Sequence, residues 1–202
     1  MSAKDLNAEE QILEASRKVF IRKGFDGARM QEIADEAGIN KSLLHYYYRS
    51  KDKLFEGVFK EAFCKFIPTV GNIFNTDGDL FEKIEKFIDV YVDMLIANPY
   101  IPIFILNEIN RNPEKILQML KHSGIHPENF VKFIENEIKK KKIKQISPEH
   151  LIVNMLSLCI FPFAGRPVIQ GMLFKNSKKE YDRFLTDRKK EITKFIFNAI
   201  EK

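Results

Sequence analysis

The chain has 202 residues, is 45% hydrophobic and carries 18 Phe but no Trp, which supports a packed core and excludes a disordered chain. Its 33 Lys and Arg against 28 Asp and Glu leave a net charge of +5, a mild basic excess that permits nucleic-acid binding without requiring it. The two cysteines, Cys64 and Cys159, both sit in apolar runs and argue for a reducing compartment rather than a disulfide framework.

Taken in order, the elements read as helices. Asn7, with Glu10 three residues on, predicts a capping box, after which Ile12, Ala15, Val19 and Phe20 fall on one helical stripe that Gly24 stops. A short helix over about Met30 to Ala37 buries Ile33 and Ala34 and ends at Gly38; Asn40 caps a third to about Tyr48. Ser50 caps a fourth, in which Leu54, Val58 and Ala62 recur every four residues. Longer helices are predicted from Leu80 to Ala97, then from about Ile101 to Ile109, Glu114 to Lys121, His126-Pro127 to Lys142 with a solvated lysine-rich end, Ser147 to Gly171, and Lys179 to Ala199. The fold class is all-α. No run reaches the ~18 apolar residues of a membrane span, and MSAKDLNAEE lacks the apolar centre of a signal peptide, so the expected location is cytoplasmic, with no membrane partner.

The informative unit is MQEIADEAGINKSLLHYYY, Met30 to Tyr48: two short helices around a Gly38-Ile39-Asn40 turn, the helix-turn-helix pattern. At 100° per residue, Leu44, Tyr47 and Tyr48 share one arc of the second helix, and Ser42, His45, Tyr46 and Arg49 the other. Tyr48 is expected to pack inward, Tyr46 to point outward, and Tyr47 to lie at the rim. The outward set, with Lys41, Lys51 and Lys53, suits phosphate oxygens and base edges. Residues 1–53 nevertheless hold ten Lys and Arg against nine Asp and Glu, so the signal is positional, and a tyrosine-rich packing corner stays open as the alternative.

Glu9 to Leu54 strongly resembles the DNA-binding domain of TetR-family transcriptional regulators. A first helix ends in Lys-Gly-Phe, the second carries Ile-Ala, a Gly-Ile-Asn-Lys turn follows, and Ser-Lys-Asp opens the fourth helix. The resemblance covers about a quarter of the chain and implies a helix-turn-helix DNA-binding domain over residues 1–52 and a helical ligand-binding and dimerisation domain over 53–202. By position it implies that Lys41 and Ser42 meet bases or phosphates, that His45 and Tyr46 face the groove, that Tyr47 and Lys51 hold phosphates, and that Arg29 and Gln31 touch backbone or base. Leu43 stands where the family often has Thr, and His45 and Tyr47 exchange the family's usual Tyr and His, so operator preference is not carried over. The implied partners are a double-stranded operator, a small-molecule effector and a second copy of the chain; the expected activity is that of a repressor released from a palindromic operator by a small hydrophobic ligand.

Residues for that ligand are less legible. Tyr91, Met94 and Phe104 fit an apolar cavity or plain core equally well. Asn107, Glu108, Asn154 and Arg166 interrupt apolar runs, where burial without a partner costs roughly 1–3 kcal/mol, although an ion pair is the competing explanation for Arg166. Stripes Val153–Leu156–Ile160 and Phe184–Ile192–Phe195–Ile196–Ala199 suit a dimer interface. A protein-binding adaptor or an enzyme with a non-DNA-binding helix-turn-helix are the rivals. There is no Gly-rich phosphate loop, HExxH or Cys-rich metal set, so no catalytic residue, metal or cofactor is expected.

Overall fold

The computed structural model describes residues 3–75, 78–111, 113–122 and 126–202; within the helices, the side chains of 3–7, 62–65, 67, 75, 104, 108, 111, 115, 119 and 122 lie outside the described set. Among the described residues the chain is all-α, without strands: α1 (Ala3–Gly27), α2 (Met30–Glu36), α3 (Lys41–Tyr47), α4 (Lys51–Asn75), α5 (Leu80–Ala97), α6 (Ile101–Arg111), α7 (Pro113–His122), α8 (Pro127–Lys139), α9 (Pro148–Ala164), α10 (Arg166–Phe174) and α11 (Lys178–Ile200). Two compact units are distinguishable, one running to Lys65 and including Asn98–Ile101, the other made of Phe66–Ala97 and Pro102–Lys202. The sequence divides most simply at 52/53, but α4 runs through that position because Leu54, Phe55 and Val58 are buried in the first unit.

In the first unit the predicted stripe of α1 is buried: Ile12, Ala15, Val19 and Phe20. The ring of Phe20 meets Phe55 edge-on at 4.7 Å, and Tyr100 lies against both rings. Gly24, at φ 70°, ends the regular helix as its position suggests. Asn7 is not the start of α1, which is helical from Ala3: Lys4, Asp5 and Leu6 contain no Gly or Pro to hold the helix back. Arg17 of α1 pairs with Glu61 of α4 at 2.7 Å, Arg22 with Glu36 at 3.3 Å and Lys23 with Glu32 at 2.6 Å, so α1 is tied to both neighbours. The bond from Lys23 holds the Glu32 carboxyl below the usual carboxylate range.

In the second unit α5, α9 and α11 pack on one another and α8 covers α9. Ile84, Ile88 and Leu95, then Leu151, Met155 and Cys159, then Tyr181, Leu185, Ile192 and Ile196 fill the centre. Each such side chain contributes about 1.5–3 kcal/mol on full burial. Burial pushes the Cys159 thiol up to about 12, so it stays protonated, a small apolar filler. The buried Lys83 is stabilised by donating from Nζ to the Ile73 carbonyl near the end of α4, at 2.7 Å.

Two expectations change here. The apolar segment from Ser147 is not one helix to Gly171: it breaks at Gly165 into α9 and α10, bent by 75°. Pro162 has no N–H, so the Leu158 carbonyl loses its helical donor; Arg188 Nη2 of α11 supplies one at 3.1 Å. The Tyr181 hydroxyl donates to the Pro162 carbonyl, freed in turn by the end of the helix. The lysine-rich tail of α8 is solvent-exposed as expected, but the helix stops short of Lys142. The helix ends at Lys139, Lys141 adopts φ 58°, and Lys140 and Lys142 fold back onto the buried Glu137 carboxylate at 3.2 and 3.1 Å. Among the described residues no single helix is long and apolar enough to cross a membrane.

Candidate nucleic-acid interface

The turn between α2 and α3 is built almost wholly from backbone. Gly38 takes φ 66°, its N–H donates to Asp35 O at 3.1 Å, and the Ile39 N–H donates to Ala34 O at 3.0 Å, the paired bonds of a Schellman C-cap. Asn40 then opens α3, its side-chain oxygen accepting from the Leu43 N–H at 2.7 Å. Only Ile39 separates the two caps, so little freedom is left in the angle between the helices. Ile33, Ala34 and Leu44 are fully buried and pin α2 and α3 from within.

What α3 presents to solvent is the polar arc read from the sequence. Lys41, Ser42, His45 and Tyr46 are exposed, Tyr46 at 81%, while Leu44 is at 0%; Arg49, read from the sequence as part of the same arc, is exposed but lies beyond the helix, after the extended C-cap Tyr48. Leu43, where the family often has Thr, is exposed at 37% and offers a methyl surface in place of a hydroxyl. The Tyr47 ring is half-buried and meets Tyr46 edge-on, centroids 5.5 Å apart. Tyr48 follows the helix as its C-cap; its hydroxyl donates to Glu9 Oε1 of α1 at 2.8 Å, and burial raises its pKa.

The pairing of charges resolves the near-neutrality of this segment. Arg17, Lys18, Arg22, Lys23 and Lys53 are each matched to a carboxylate. Lys41 and Arg49 form no ion pair among the described residues. The basic character is therefore uncompensated on the α3 face and compensated around it. Arg29 is exposed at the N-cap of α2, and Gln31 is exposed with its amide donating to Asp35 Oδ1 at 2.8 Å. Lys51 is placed differently. Its ammonium donates to the carbonyls of Asp26 and Ala28 at 3.3 and 3.2 Å and sits 4.5 Å over the Phe25 ring, fastening the start of α4 to the corner between α1 and α2.

Among the described residues the ligand candidates do not share one environment. Tyr91 is buried between Phe66 and Phe87, ring centroids 5.1 and 5.3 Å away, and burial raises the pKa of its hydroxyl. Met94 packs half-buried beside that core. Asn107 and Asn154 are exposed, against the expectation of buried polar groups: α6 turns Ile103, Leu106 and Ile109 outward, and α9 turns out Val153, so an apolar run there is not a buried one. Arg166 has partners, Gln170 Oε1 at 3.0 Å and Asp182 Oδ1 at 3.5 Å, with its guanidinium over the Tyr181 ring; the ion-pair explanation holds. The side chains of Phe104 and Glu108 lie outside the described residues. Among the described residues no group of His, Cys, Asp and Glu is placed to hold a metal ion.

Comparison with known proteins agrees with this geometry. Residues 12–58 match the family described as bacterial regulatory proteins, tetR family. The HTH-type transcriptional repressor NicS of Pseudomonas putida is 24% identical over 187 residues, 88% of each chain. An HTH-type transcriptional repressor of Streptomyces coelicolor is 36% identical over 100 residues, 49% of this chain and 48% of its own. A TetR/AcrR-family regulator from Thermobifida fusca superposes with a TM-score of 0.64 at 15% identity, covering 93% of this chain and 97% of its own, which establishes the shared fold.

Proposed function

The chain belongs to the TetR family of bacterial transcriptional regulators, and from that premise we propose that it is a homodimeric repressor that leaves a palindromic operator when a small hydrophobic ligand binds. The carrying observation is the α3 face: Lys41 without an ion pair among the described residues, beside Ser42, His45 and the 81% exposed Tyr46, on a helix locked by its caps, with Arg49, likewise without an ion pair among the described residues, exposed just past its C-cap. Cations and hydroxyl donors on one exposed arc match phosphate oxygens and base edges in a major groove. Arg29 and Gln31 extend this surface from α2, and Tyr47 flanks it; Lys51 supports it by holding the corner between α1 and α2. Repression is favoured by the names of the two curated relatives.

Two copies would set their α3 helices in successive major grooves, about 34–36 Å apart. The dimer reading is supported by Val153, Phe161 and Phe195, exposed at 58, 63 and 62% on α9 and α11, whose inner faces are already used in the core. Ile192 and Ile196, read from the sequence as part of the interface stripe, belong to the protomer's own core. The hydrophobic character of the effector is supported by the aromatic cluster of Phe66, Phe74, Phe87, Tyr91 and Phe130 in the second unit, with rings 4.2–5.6 Å apart. Such a ligand shifts DNA affinity only by its differential affinity for the two forms, typically ~1–3 kcal/mol of coupling.

The test is selection from a random duplex pool by the purified protein. The expected product is an inverted repeat with half-sites about one helical turn apart. Recovery of a single unpaired half-site would overturn the dimer reading, and recovery of nothing would overturn DNA reading by α3.

A further inference from the structure

We propose that Gly57 and Glu9 are positioning residues for DNA reading: through Tyr48 they set the angle at which α3 presents Tyr46 and Tyr47, and Gly57 is glycine because any side chain there would displace that tyrosine. The inference rests on the reading of α3 as the DNA-contacting helix. Gly57 lies inside α4, where glycine weakens a helix relative to alanine and needs a reason. A Cβ at Gly57 would stand 2.9 Å from Tyr48 Cε1, 3.1 Å from its Oη and 3.2 Å from Leu13 Cδ2. The ring of Tyr48 is thus seated directly on the α4 backbone, against Leu13 of α1.

The hydroxyl at the far end of that ring is held by Glu9 Oε1 at 2.8 Å. Tyr48 is therefore gripped at face and tip by two helices that carry none of the groove-facing residues. It is also the C-cap of α3, with its N–H bonded to Leu44 O at 2.8 Å, so a shift of its ring moves the last turn of the helix. Tyr46 and Tyr47 lie two and one residues before it. Close packing transmits small displacements because the interior has few voids to absorb them.

Alanine at 57 would by itself strengthen α4, so it separates positioning from stability. For Gly57→Ala, affinity for the duplex recovered from the random pool is expected to fall about 10-fold or more, the scale of one lost base contact. Affinity for an unrelated duplex of the same length at low salt, which is set by phosphate charge, should stay unchanged, as should the urea midpoint. The double variant Gly57→Ala/Tyr48→Leu should bind no worse than Tyr48→Leu alone, because the clashing ring is gone. Glu9→Gln keeps an acceptor for the tyrosine and should bind as wild type, whereas Glu9→Ala should lose affinity for the selected duplex; this pair carries the test if Gly57→Ala fails to fold. Wild-type affinity in Gly57→Ala, equal losses for both duplexes, or Glu9→Gln as damaging as Glu9→Ala would each overturn the proposal. If wild-type protein recovers no duplex, the reading of α3 fails and the proposal falls with it.

Discussion

Removing Lys41 should change the salt dependence of operator binding, and removing Arg22 should not. Both are exposed cations in the first unit, but Arg22 is bonded to Glu36 at 3.3 Å, whereas Lys41 forms no ion pair among the described residues. Each phosphate neutralised contributes about 0.9 to the slope of log affinity against log salt, and a dimer presents each residue twice, so Lys41→Ala should flatten the slope by about 1.8. Between 50 and 200 mM salt that corresponds to wild-type affinity falling about 10-fold further than the variant's. Arg49→Ala should behave as Lys41→Ala, and Lys23→Ala, whose ammonium is 2.6 Å from Glu32, as Arg22→Ala. Fluorescence anisotropy with the selected duplex across that salt range reads the slope directly. Equal flattening by Arg22→Ala and Lys41→Ala would refute the division into paired and unpaired cations.

Three further outcomes follow from the packing. Asn40→Ala removes the acceptor of the Leu43 N–H and should cost about 1 kcal/mol in urea unfolding, together with weakened operator binding, as the α2–α3 angle loses one of its two caps. Arg188→Met leaves the half-buried Leu158 carbonyl without its side-chain donor; about 1 kcal/mol of stability should be lost, with the selected DNA sequence unchanged by pool selection. Phe161→Asp with Phe195→Asp puts charge on two side chains now 63 and 62% exposed, and sedimentation should show monomers that keep their helical circular dichroism; a dimer that survives both would place the interface elsewhere.

The first unit was legible because its signals are local. Gly38 and Asn40 carry their backbone meaning in their own chemistry, and the 100° arc separates Leu44 from Tyr46 without any tertiary knowledge. What escaped was long-range: Lys51 reads as one more surface cation, yet its partners are carbonyls 23 and 25 residues earlier. Gly57 reads as an unremarked helix glycine until the ring of Tyr48 is placed on it. In the second unit, polar interruptions of apolar runs misled. Asn107 and Asn154 lie on outward faces because α6 and α9 expose apolar side chains as well, and run composition cannot tell a face awaiting a partner from a buried one. Pro162 and Gly165 lie at the break between α9 and α10, but that α11 would mend it with Arg188 and Tyr181 depends on residues 19 to 30 positions away.

The dependence of α9 on α11 gives synthesis of this chain an order. The first unit has all its segments once residue 101 has been made. The second cannot close until Tyr181, Leu185, Arg188, Ile192 and Ile196 arrive, because they complete both its core and the broken backbone of α9. At roughly 5–20 residues per second, on the order of 5–20 s separate the two events. During that interval a finished reading head is tethered to α5 and α9 helices whose Ile84, Ile88 and Met155 have no cover, the exposed apolar surface that chaperones and proteases recognise. A message truncated before Lys178 would therefore yield a chain with its α3 face intact and no lasting place in the cell.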